Sequence, residues 1–214
     1  MSKIALVTGA SRGLGFAMAE ALAPTHHVVA VARTTGALED LDDRIQEAGG
    51  QATLAPMDIT NEGAMAQLCR SIYDRWGSID LWIHTAVHAA PLTPASHMDA
   101  KDWSKSMLIN ATSMGTLVPY IAPLLGDTGT AMFFEDATIA DKFHGAYGAS
   151  KAAQISLARA WAAETRTSGP KILIETPPAM STATRSRFHP GEDREALAHP
   201  REVAASLLPK LLNA

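Results

Sequence analysis

The sequence predicts an α/β fold built on a doubly wound parallel sheet of about six strands, in the order 3-2-1-4-5-6. Short apolar runs, typical of buried parallel strands, alternate along the chain with amphipathic stretches of helical spacing. A glycine-rich turn separates the first apolar run from the first helical stretch. Because 47% of the 214 residues are apolar, the chain can bury a core, and we expect a single domain over residues 1–214.

Six apolar runs predict the strands, at residues 3–8, 27–32, 51–56, 79–85, 130–135 and 171–176. Helical spacing predicts helices around residues 38–45, 64–72, 103–118, 146–166 and 200–208. Asn61 is the expected N-cap of the helix at 64–72, and Pro119 follows the helix at 103–118. Residues 86–100 and 176–200 fit neither pattern, and loops of that length are commonly lids or binding loops.

The charge balance and the cysteine count exclude several classes of protein. Lys and Arg number 18 against 22 Asp and Glu, so the chain lacks the basic surplus of a nucleic-acid binder. The longest apolar runs have only about half a dozen residues, whereas a membrane span needs roughly 18 or more. The single Cys69 excludes an internal disulfide and a cysteine zinc cluster, and we expect no metal site. The N-terminal stretch is too short for a signal-peptide core, so we expect a cytoplasmic protein.

The glycine-rich turn between the first strand and the first helix has the pattern of a phosphate-binding loop. It reads Thr8-Gly9-Ala10-Ser11-Arg12-Gly13-Leu14-Gly15. Gly9 permits the tight turn, Gly13 lets backbone approach a pyrophosphate, and Gly15 allows close packing of the helix. The helix N-terminus offers free N–H groups to the phosphates. Three glycines alone are more often a structural turn, but the strand before and the helix after them favour nucleotide binding.

The end of the second strand indicates which dinucleotide is bound. Folds that select NAD often place an acid here, whereas this chain has Ala32 and Arg33. Arg33 and Arg12 together can hold a 2′-phosphate, which favours NADP(H), with NAD(H) kept as the alternative. Each arginine taken alone can instead be an ordinary surface residue, and it is the pair beside the expected adenosine pocket that favours NADP(H). Asp58, after the third strand, can accept a hydrogen bond from an adenine amine or cap a helix.

A tyrosine and a lysine four residues apart follow the fifth strand. Tyr147 and Lys151 therefore project from one face of the predicted helix. An ammonium beside a phenol favours the phenolate, so we expect a lowered Tyr147 pKa and a usable proton donor or acceptor near neutral pH. The four-residue spacing by itself is weak evidence for a catalytic pair. The position of the pair after the fifth predicted strand strengthens that interpretation.

These motifs together resemble the short-chain dehydrogenase/reductase family over nearly the whole chain. The matches are the glycine loop, Asp58, Asn110 and Tyr147-x-x-x-Lys151. The resemblance implies a Rossmann-like sheet, with Tyr147 as acid/base and Lys151 binding the ribose and lowering the Tyr147 pKa. It implies further that Asn110 holds a water in the proton relay, and that a serine orients the substrate carbonyl.

The serine that the resemblance implies is absent. Counting through the fifth strand places Asp136 at its position, and Thr138 is the nearest hydroxyl. Thr138 can donate to a carbonyl as serine does. An ionised Asp136 can only accept and would repel a developing alkoxide, unless a raised pKa lets it donate. The predicted catalytic residues are therefore Tyr147, Lys151, Asn110, Thr138 and Asp136.

Three other positions depart from the family pattern. His84-Thr85-Ala86-Val87 stands where the family has Asn-Asn-Ala-Gly, and we expect His84 to be a core residue rather than a catalytic one. Pro177-Pro178 replaces Pro-Gly, and Met180 stands where a threonine often contacts the nicotinamide. The family's seventh strand is not expected before Ala214. The predicted cofactor-binding residues are Gly9, Ser11, Arg12, Gly13, Leu14, Gly15, Arg33, Asp58, Ile59, Ala86, Tyr147, Lys151 and Pro177.

These observations predict an NADP(H)-dependent oxidoreductase that interconverts a carbonyl and an alcohol on a small-molecule substrate. The alternative is a degenerate relative that binds dinucleotide with little catalysis and acts as a sensor or subunit. A module without cofactor is a third hypothesis, which the intact glycine loop opposes.

We expect a homodimer through the helices at 103–118 and 147–166. The resemblance implies this surface, and the two helices carry more apolar residues than one buried face needs. These residues include Met107, Leu108, Ile155, Leu157 and Trp161. A tetramer is disfavoured because the surface that forms it needs the missing seventh strand.

Overall fold

A parallel six-stranded sheet in the order β3-β2-β1-β4-β5-β6 forms the centre of the molecule. The computed structural model describes residues 3–213. The strands are β1 Lys3–Thr8, β2 His26–Ala32, β3 Gln51–Pro56, β4 Leu81–His84, β5 Thr130–Phe134 and β6 Lys171–Glu175. The predicted fold class and strand order are confirmed, and residues 3–213 contribute no seventh strand to this sheet.

Helices cover both faces of the sheet. They are α1 Gly13–Leu22, α2 Thr35–Glu47, α3 Glu62–Trp76, α4 Ala100–Ser106, α5 Ser113–Leu125, α6 Gly145–Glu164, α7 Ala183–Phe188 and α8 Pro200–Leu212. Neighbouring strand residues point to opposite faces, so Leu6 packs in the core beneath α3, α5 and α6, while Val7 packs in the core beneath α1, α2 and α8. Both side chains are fully buried, as expected for a central parallel strand.

The helix predicted at 103–118 is longer than expected. It starts as α4, where Asp99 accepts from the backbone N–H groups of Lys101 and Asp102, and it passes through a π-helical segment, Met107–Thr112, into α5. α5 then runs through Pro119 and Pro123 to Leu125, so the predicted end before Pro119 is wrong. Leu117, Ile121, Leu124 and Leu125 are buried against the sheet, and this packing outweighs the missing proline N–H bonds.

Ala100–Leu125 also meets the length and composition test for a membrane-crossing helix. The run was not expected from the short apolar stretches of the sequence, because α4, the π-helical segment and α5 join into one helix of 26 residues. Ile109, Met114 and Leu117 lie in the core formed with the sheet. Core helices of globular proteins pass the same test.

The two stretches without a predicted element contain only short helices. Residues 86–100 hold one turn of 3₁₀ helix, Ala95–His97. Residues 176–200 hold α7, which begins where the Thr182 hydroxyl accepts from the Arg185 N–H. Arg185 forms a two-pronged ion pair with Glu192 at 2.6 Å, which connects α7 to the segment after it. Both stretches lie beyond the carboxyl ends of their strands, the edge of the sheet where ligands bind in folds of this type.

Candidate active site

The glycine loop packs directly against the end of β4. Gly9 has φ +91°, and a Cβ placed on it would lie 2.5 Å from the Ala86 nitrogen. A Cβ on Gly15 would collide with the Thr85 hydroxyl and the Gly9 carbonyl. The loop therefore needs glycine at both positions to reach this packing. α1 starts immediately afterwards, and its first turn contains no acidic residue, so its positive end is not compensated by its own side chains.

Thr85 holds the end of β4 to the glycine loop, and sequence reasoning did not assign it this part. Its backbone N–H donates to the Thr8 carbonyl at 2.8 Å. Its hydroxyl donates to the same carbonyl at 3.0 Å and to the Gly9 carbonyl at 3.2 Å. Thr85 stands where the family has asparagine, so both have a polar side chain at this position. That shared polarity was the only sign in the sequence that Thr85 makes contacts at the site.

A cavity of about 320 Å³ connects the glycine loop with the ends of β4, β5 and β6. All of the predicted cofactor-binding residues line it: Gly9, Ser11, Arg12, Gly13, Leu14, Gly15, Arg33, Asp58, Ile59, Ala86, Tyr147, Lys151 and Pro177. Asp136 and Thr138 line it as well, whereas Asn110 is not among the lining residues. The volume is within the range of small-molecule sites.

Arg33 and Asp58 face each other at the β2–β3 end of the cavity. Their nearest nitrogen and oxygen are 3.7 Å apart, and the Arg33 side chain is 59% exposed. Asp58 Oδ1 accepts from the N–H and hydroxyl of Thr60, at 2.9 and 2.8 Å. Burial alone would raise the Asp58 pKa, but these bonds and the Arg33 charge hold it below its usual value. The N-cap of α3 is Asn61, so Asp58 shapes the turn before the helix rather than capping it.

Tyr147 and Asp136 form the central contact of the site. The Tyr147 hydroxyl donates to Asp136 Oδ2 at 2.8 Å. Asp136 Oδ1 accepts from the Thr138 N–H at 2.8 Å and from the Thr138 hydroxyl at 2.7 Å. Asp136 is therefore the residue against Tyr147, and the Thr138 hydroxyl is directed to Asp136.

The electrostatics of this pair differ from the sequence prediction. Burial, followed by the Asp136 charge and hydrogen bond, raises the Tyr147 pKa, whereas a lowered pKa was expected from Lys151. Burial would also raise the Asp136 pKa, but hydrogen bonds from Thr138 and Tyr147 hold it below its usual value. The carboxylate is therefore ionised near neutral pH, and the neighbouring phenol keeps its proton.

Lys151 is buried and bonded away from the Tyr147 hydroxyl. Its ammonium donates to the Phe134 carbonyl at 2.7 Å and to the Gln154 side-chain oxygen. Burial lowers the Lys151 pKa to about 8, against the opposing charges of Asp136 and Glu135. The Gln154 amide in turn donates to the Asn110 carbonyl at 2.8 Å. Gln154 was not among the predicted site residues. The only sign of it in the sequence is that a polar residue follows Lys151 by about one helical turn.

Asn110 connects the loop after β4 to α6. It lies in the π-helical segment and is fully buried. Its side-chain nitrogen donates to the His88 carbonyl and the Ser150 hydroxyl, both at 2.9 Å, and its side-chain oxygen accepts from the His88 N–H at 2.6 Å. The Asn110 side chain thus holds the backbone of His88 in place. The backbone carbonyl of Asn110 accepts from Gln154, which in turn contacts Lys151.

His84 is one of the residues that line the cavity, and its ring is packed in the core as expected. It is 2% exposed, and its Nδ1 is 2.8 Å from the Thr8 hydroxyl. Burial, with the nearby Lys151 charge, lowers the His84 pKa to about 3. The ring is therefore neutral over the physiological range.

Phe188 of α7 closes the cavity beside Tyr147. The two rings meet edge to face, with their centroids 4.8 Å apart. Phe188 is buried and lines the cavity together with Met180 and Val87. The chemical groups thus lie in a partly apolar enclosure, in which electrostatic effects are stronger than in water.

Comparison with known proteins places this arrangement in a family. A family model described as short chain dehydrogenase matches residues 3–193. The chain belongs to the short-chain dehydrogenase family. This confirms the resemblance, and with it an NAD(P)-dependent oxidoreductase of this family.

Individual relatives share the fold at moderate identity. The chain is 32% identical to the fatty acyl-CoA reductase of Acinetobacter baylyi over 169 residues, which cover 76% of this chain and 57% of that reductase. A short chain dehydrogenase from Shigella flexneri complexed with NADP has a TM-score of 0.86 at 26% identity, covering 98% of this chain and 89% of that one. A 7α-hydroxysteroid dehydrogenase complexed with NADH and 7-oxo glycochenodeoxycholic acid has a TM-score of 0.84 at 25% identity, covering 98% and 87%.

Proposed function

We propose that this protein is an NADP(H)-dependent oxidoreductase that interconverts a carbonyl and an alcohol, with Tyr147 as acid/base and Lys151 beside it. The observation that carries the proposal is that the glycine loop, Tyr147 and Lys151 line one and the same cavity. Family membership supports the same reaction class. The substrate is a small molecule that enters between the loops at 86–100 and 176–200.

The residues around the cavity fit a nicotinamide dinucleotide. The N–H groups at the start of α1 would hold the diphosphate, because glycine at positions 9 and 15 brings this backbone against β4 without intervening side chains. Arg12 and Arg33 would hold a 2′-phosphate, and Lys151 would hold the ribose near Tyr147. When bound, the dinucleotide supplies or accepts the hydride.

The chain's own residues handle the proton. In the direction of reduction, the Tyr147 hydroxyl gives its proton to the substrate oxygen, and in the direction of oxidation the phenolate takes it back. In the structure the one O–H proton of Tyr147 is donated to Asp136 at 2.8 Å, and Thr138 fixes the carboxylate. The hydroxyl therefore rotates from Asp136 to the substrate oxygen before it gives up its proton. Phe188 and the buried position of Tyr147 exclude water from the reacting groups.

Replacement of Tyr147 tests the proposal. Tyr147→Phe removes the proton source and keeps the ring, so kcat should fall by about a hundredfold or more while the Kd for NADPH is unchanged. Turnover is measured as NADPH consumption with a panel of ketones and aldehydes. Tyr73→Phe is the matched control, because Tyr73 is 58% exposed on α3. A Tyr147→Phe enzyme with normal turnover would reject Tyr147 as acid/base.

A second candidate function is dinucleotide binding with little catalysis, as in a sensor or subunit. The observation that favours it is the raised pKa of Tyr147, together with the bonding of Lys151 to Gln154 rather than to the phenol. A protein of this kind would bind NADPH and change its thermal stability on binding, and it would consume no NADPH with any substrate in the panel.

We further propose a cytoplasmic homodimer that joins through the helices at 103–118 and 147–166. Trp103, Leu108 and Leu157 support it, because these large apolar side chains are exposed on those helices at 38%, 46% and 36%. Ile155 and Trp161, which were expected to contribute, are instead buried in the core of the sheet. The apolar surface available for assembly is therefore smaller than the sequence suggested.

A further inference from the structure

The reacting end of the cavity carries a negative charge that a serine in the same place would not bring. Asp136 Oδ2 lies 2.8 Å from the Tyr147 hydroxyl, and Oδ1 accepts two hydrogen bonds from Thr138. Within residues 3–213, Asp136 forms no ion pair with Lys or Arg. The adjacent Glu135 differs, because Arg159 neutralises it through two bonds of 2.8 and 2.9 Å. Asp136 is thus the carboxylate beside the acid/base, and in the described part of the chain it has no ion-pair partner in direct contact; the charges of Lys151 and Arg185 act on it only from a distance.

This charge disfavours the oxyanion that reduction of a ketone develops. The developing alkoxide would lie near a carboxylate, where a neutral donor would have stabilised it. Proton donation by Tyr147 would then leave a phenolate 2.8 Å from Asp136, and two like charges at that distance strongly disfavour each other. The Lys151 ammonium offsets this charge only from a distance, because it bonds to the Phe134 carbonyl and to Gln154 and forms no hydrogen bond with the carboxylate or the phenol.

A substrate that loses positive charge in the reaction reverses each of these effects. A protonated carbon–nitrogen double bond enters as a cation and leaves as a neutral amine. Asp136 attracts the cation, and no proton is required from Tyr147 during hydride transfer. Phe188, whose ring lines the same cavity, adds an aromatic face of the kind that attracts organic cations.

We infer that this site reduces iminium ions in preference to ketones, with Asp136 as the residue that determines this specificity. The inference rests on the proposed function, because it uses the same hydride donor and the same cavity. The iminium carbon accepts the hydride, and the π electrons of the C=N bond become the nitrogen lone pair. The reduced nicotinamide dinucleotide is the reductant and is oxidised by two electrons, so an iminium ion becomes a neutral amine.

Paired substrate panels test the inference by turnover. Cyclic imines (2-methyl-1-pyrroline and 3,4-dihydroisoquinoline) are compared with cyclopentanone and 1-tetralone under NADPH. The wild-type enzyme should have the higher kcat/KM for the imines. In Asp136→Ser and in the isosteric Asp136→Asn, the ratio of imine to ketone kcat/KM should fall by about a hundredfold, the usual effect of one electrostatic group at a reacting centre. Asp141→Asn is the control, since it removes a charge from an exposed position in the same segment.

A binding measurement gives a readout that is independent of turnover. Ligand-detected NMR compares pyrrolidine, a cation at neutral pH, with cyclopentanol, in the presence of NADP⁺. Pyrrolidine should bind the wild-type protein and Asp141→Asn more tightly than cyclopentanol does, and Asp136→Asn should lose that preference.

The two proposals fail in different ways. Ketone reduction by the wild type with an unchanged ratio in Asp136→Ser overturns the iminium preference and leaves the proposed function standing. Consumption of neither panel, by a protein that binds NADPH, overturns both.

Discussion

At the scale of single residues, the sequence predicted which side chains surround the cavity better than it predicted their contacts. Tyr147, Lys151 and the glycine loop follow from spacing and from their place after predicted strands. The bond between Tyr147 and Asp136 does not, because it depends on the path of residues 135–144. That segment includes Phe143 at φ +73°, a conformation that no residue in it signals.

The same limit applies to Gln154. Its position one turn after Lys151 is visible in the sequence, but many helices carry a polar residue there. The second partner of the Gln154 amide is the Asn110 carbonyl, which the buried π-helical segment turns towards α6. Contacts that need two separately placed elements are therefore not readable from spacing within one of them.

Cofactor choice is a prediction at this scale. NADPH should bind at least about tenfold more tightly than NADH, or about 1.4 kcal/mol, because Arg12 and Arg33 can form charge-assisted bonds with a 2′-phosphate. Arg33→Ala should remove most of this difference and leave the Kd for NADH unchanged, as measured by calorimetry. Arg70→Ala is the control, since Arg70 is exposed on α3 away from the cavity.

Equal dissociation constants of the wild type for the two cofactors would contradict the prediction. The pairing of Arg33 with Asp58 does not prevent phosphate binding, because the two groups are 3.7 Å apart and their side chains are 59% and 40% exposed, and ion pairs open to solvent are weak.

At the scale of elements, the strands were predictable and the helix ends were not. All six strands fall within two residues of their predicted bounds, since a buried parallel strand is a short apolar run with polar flanks. α5 passes two prolines and α8 continues to Leu212 rather than 208, because burial of Leu124 and Leu211 continues beyond the local signals. Local propensity sets where a helix can end, and packing decides whether it does.

The connection between β4 and the glycine loop gives a prediction for an element. Thr85→Val keeps the shape and removes the hydroxyl that donates to the Thr8 and Gly9 carbonyls. Loss of these bonds should lower the free energy of unfolding by about 1 kcal/mol and weaken NADPH binding several-fold, since the loop is then less fixed. Urea unfolding and calorimetry measure the two effects.

Thr116→Val is the matched control for this change, because Thr116 is a half-buried residue of α5 whose hydroxyl bonds only to the Thr112 carbonyl one turn earlier, away from the cavity. If Thr85→Val bound NADPH as tightly as Thr116→Val, the β4 connection would have no part in holding the loop.

At the scale of the whole molecule, assembly is the first prediction. Light scattering should give a mass near twice 22.7 kDa. The double substitution Leu108→Lys with Leu157→Lys places charge on the exposed apolar surface of the two helices and should yield a monomer with an unchanged fold. The same double change at exposed Tyr73 and Leu212, away from these helices, should leave the dimer intact. A wild-type tetramer, or a double variant at 108 and 157 that remains dimeric, would contradict the proposed interface.

The pH dependence of stability is the second prediction for the whole molecule, and it follows from His84. This ring is buried among Thr8, Trp82 and Phe133, with Lys151 as the nearby charge, and its pKa is lowered from 6.5 to about 3. Between these two values the unfolded chain binds a proton that the folded chain excludes. Stability therefore rises with pH in this window, and it is lost as pH falls below 6.5.

The size of the His84 effect can be read by difference. From pH 7 to pH 5, its share of the loss should be about 2 kcal/mol in the free energy of unfolding. His84→Asn keeps a side-chain partner for the Thr8 hydroxyl and removes the titrating ring, so it should be less stable at pH 7 but lose about 2 kcal/mol less on acidification. Urea unfolding at both pH values gives the comparison, with His97→Asn, at an exposed position, as the control. If His84→Asn and the wild type lost the same free energy of unfolding between pH 7 and pH 5, the buried His84 ring would not be the group that couples acid to unfolding. The effect would then come from the other histidines whose pKa values are lowered, His26, His27 and His88.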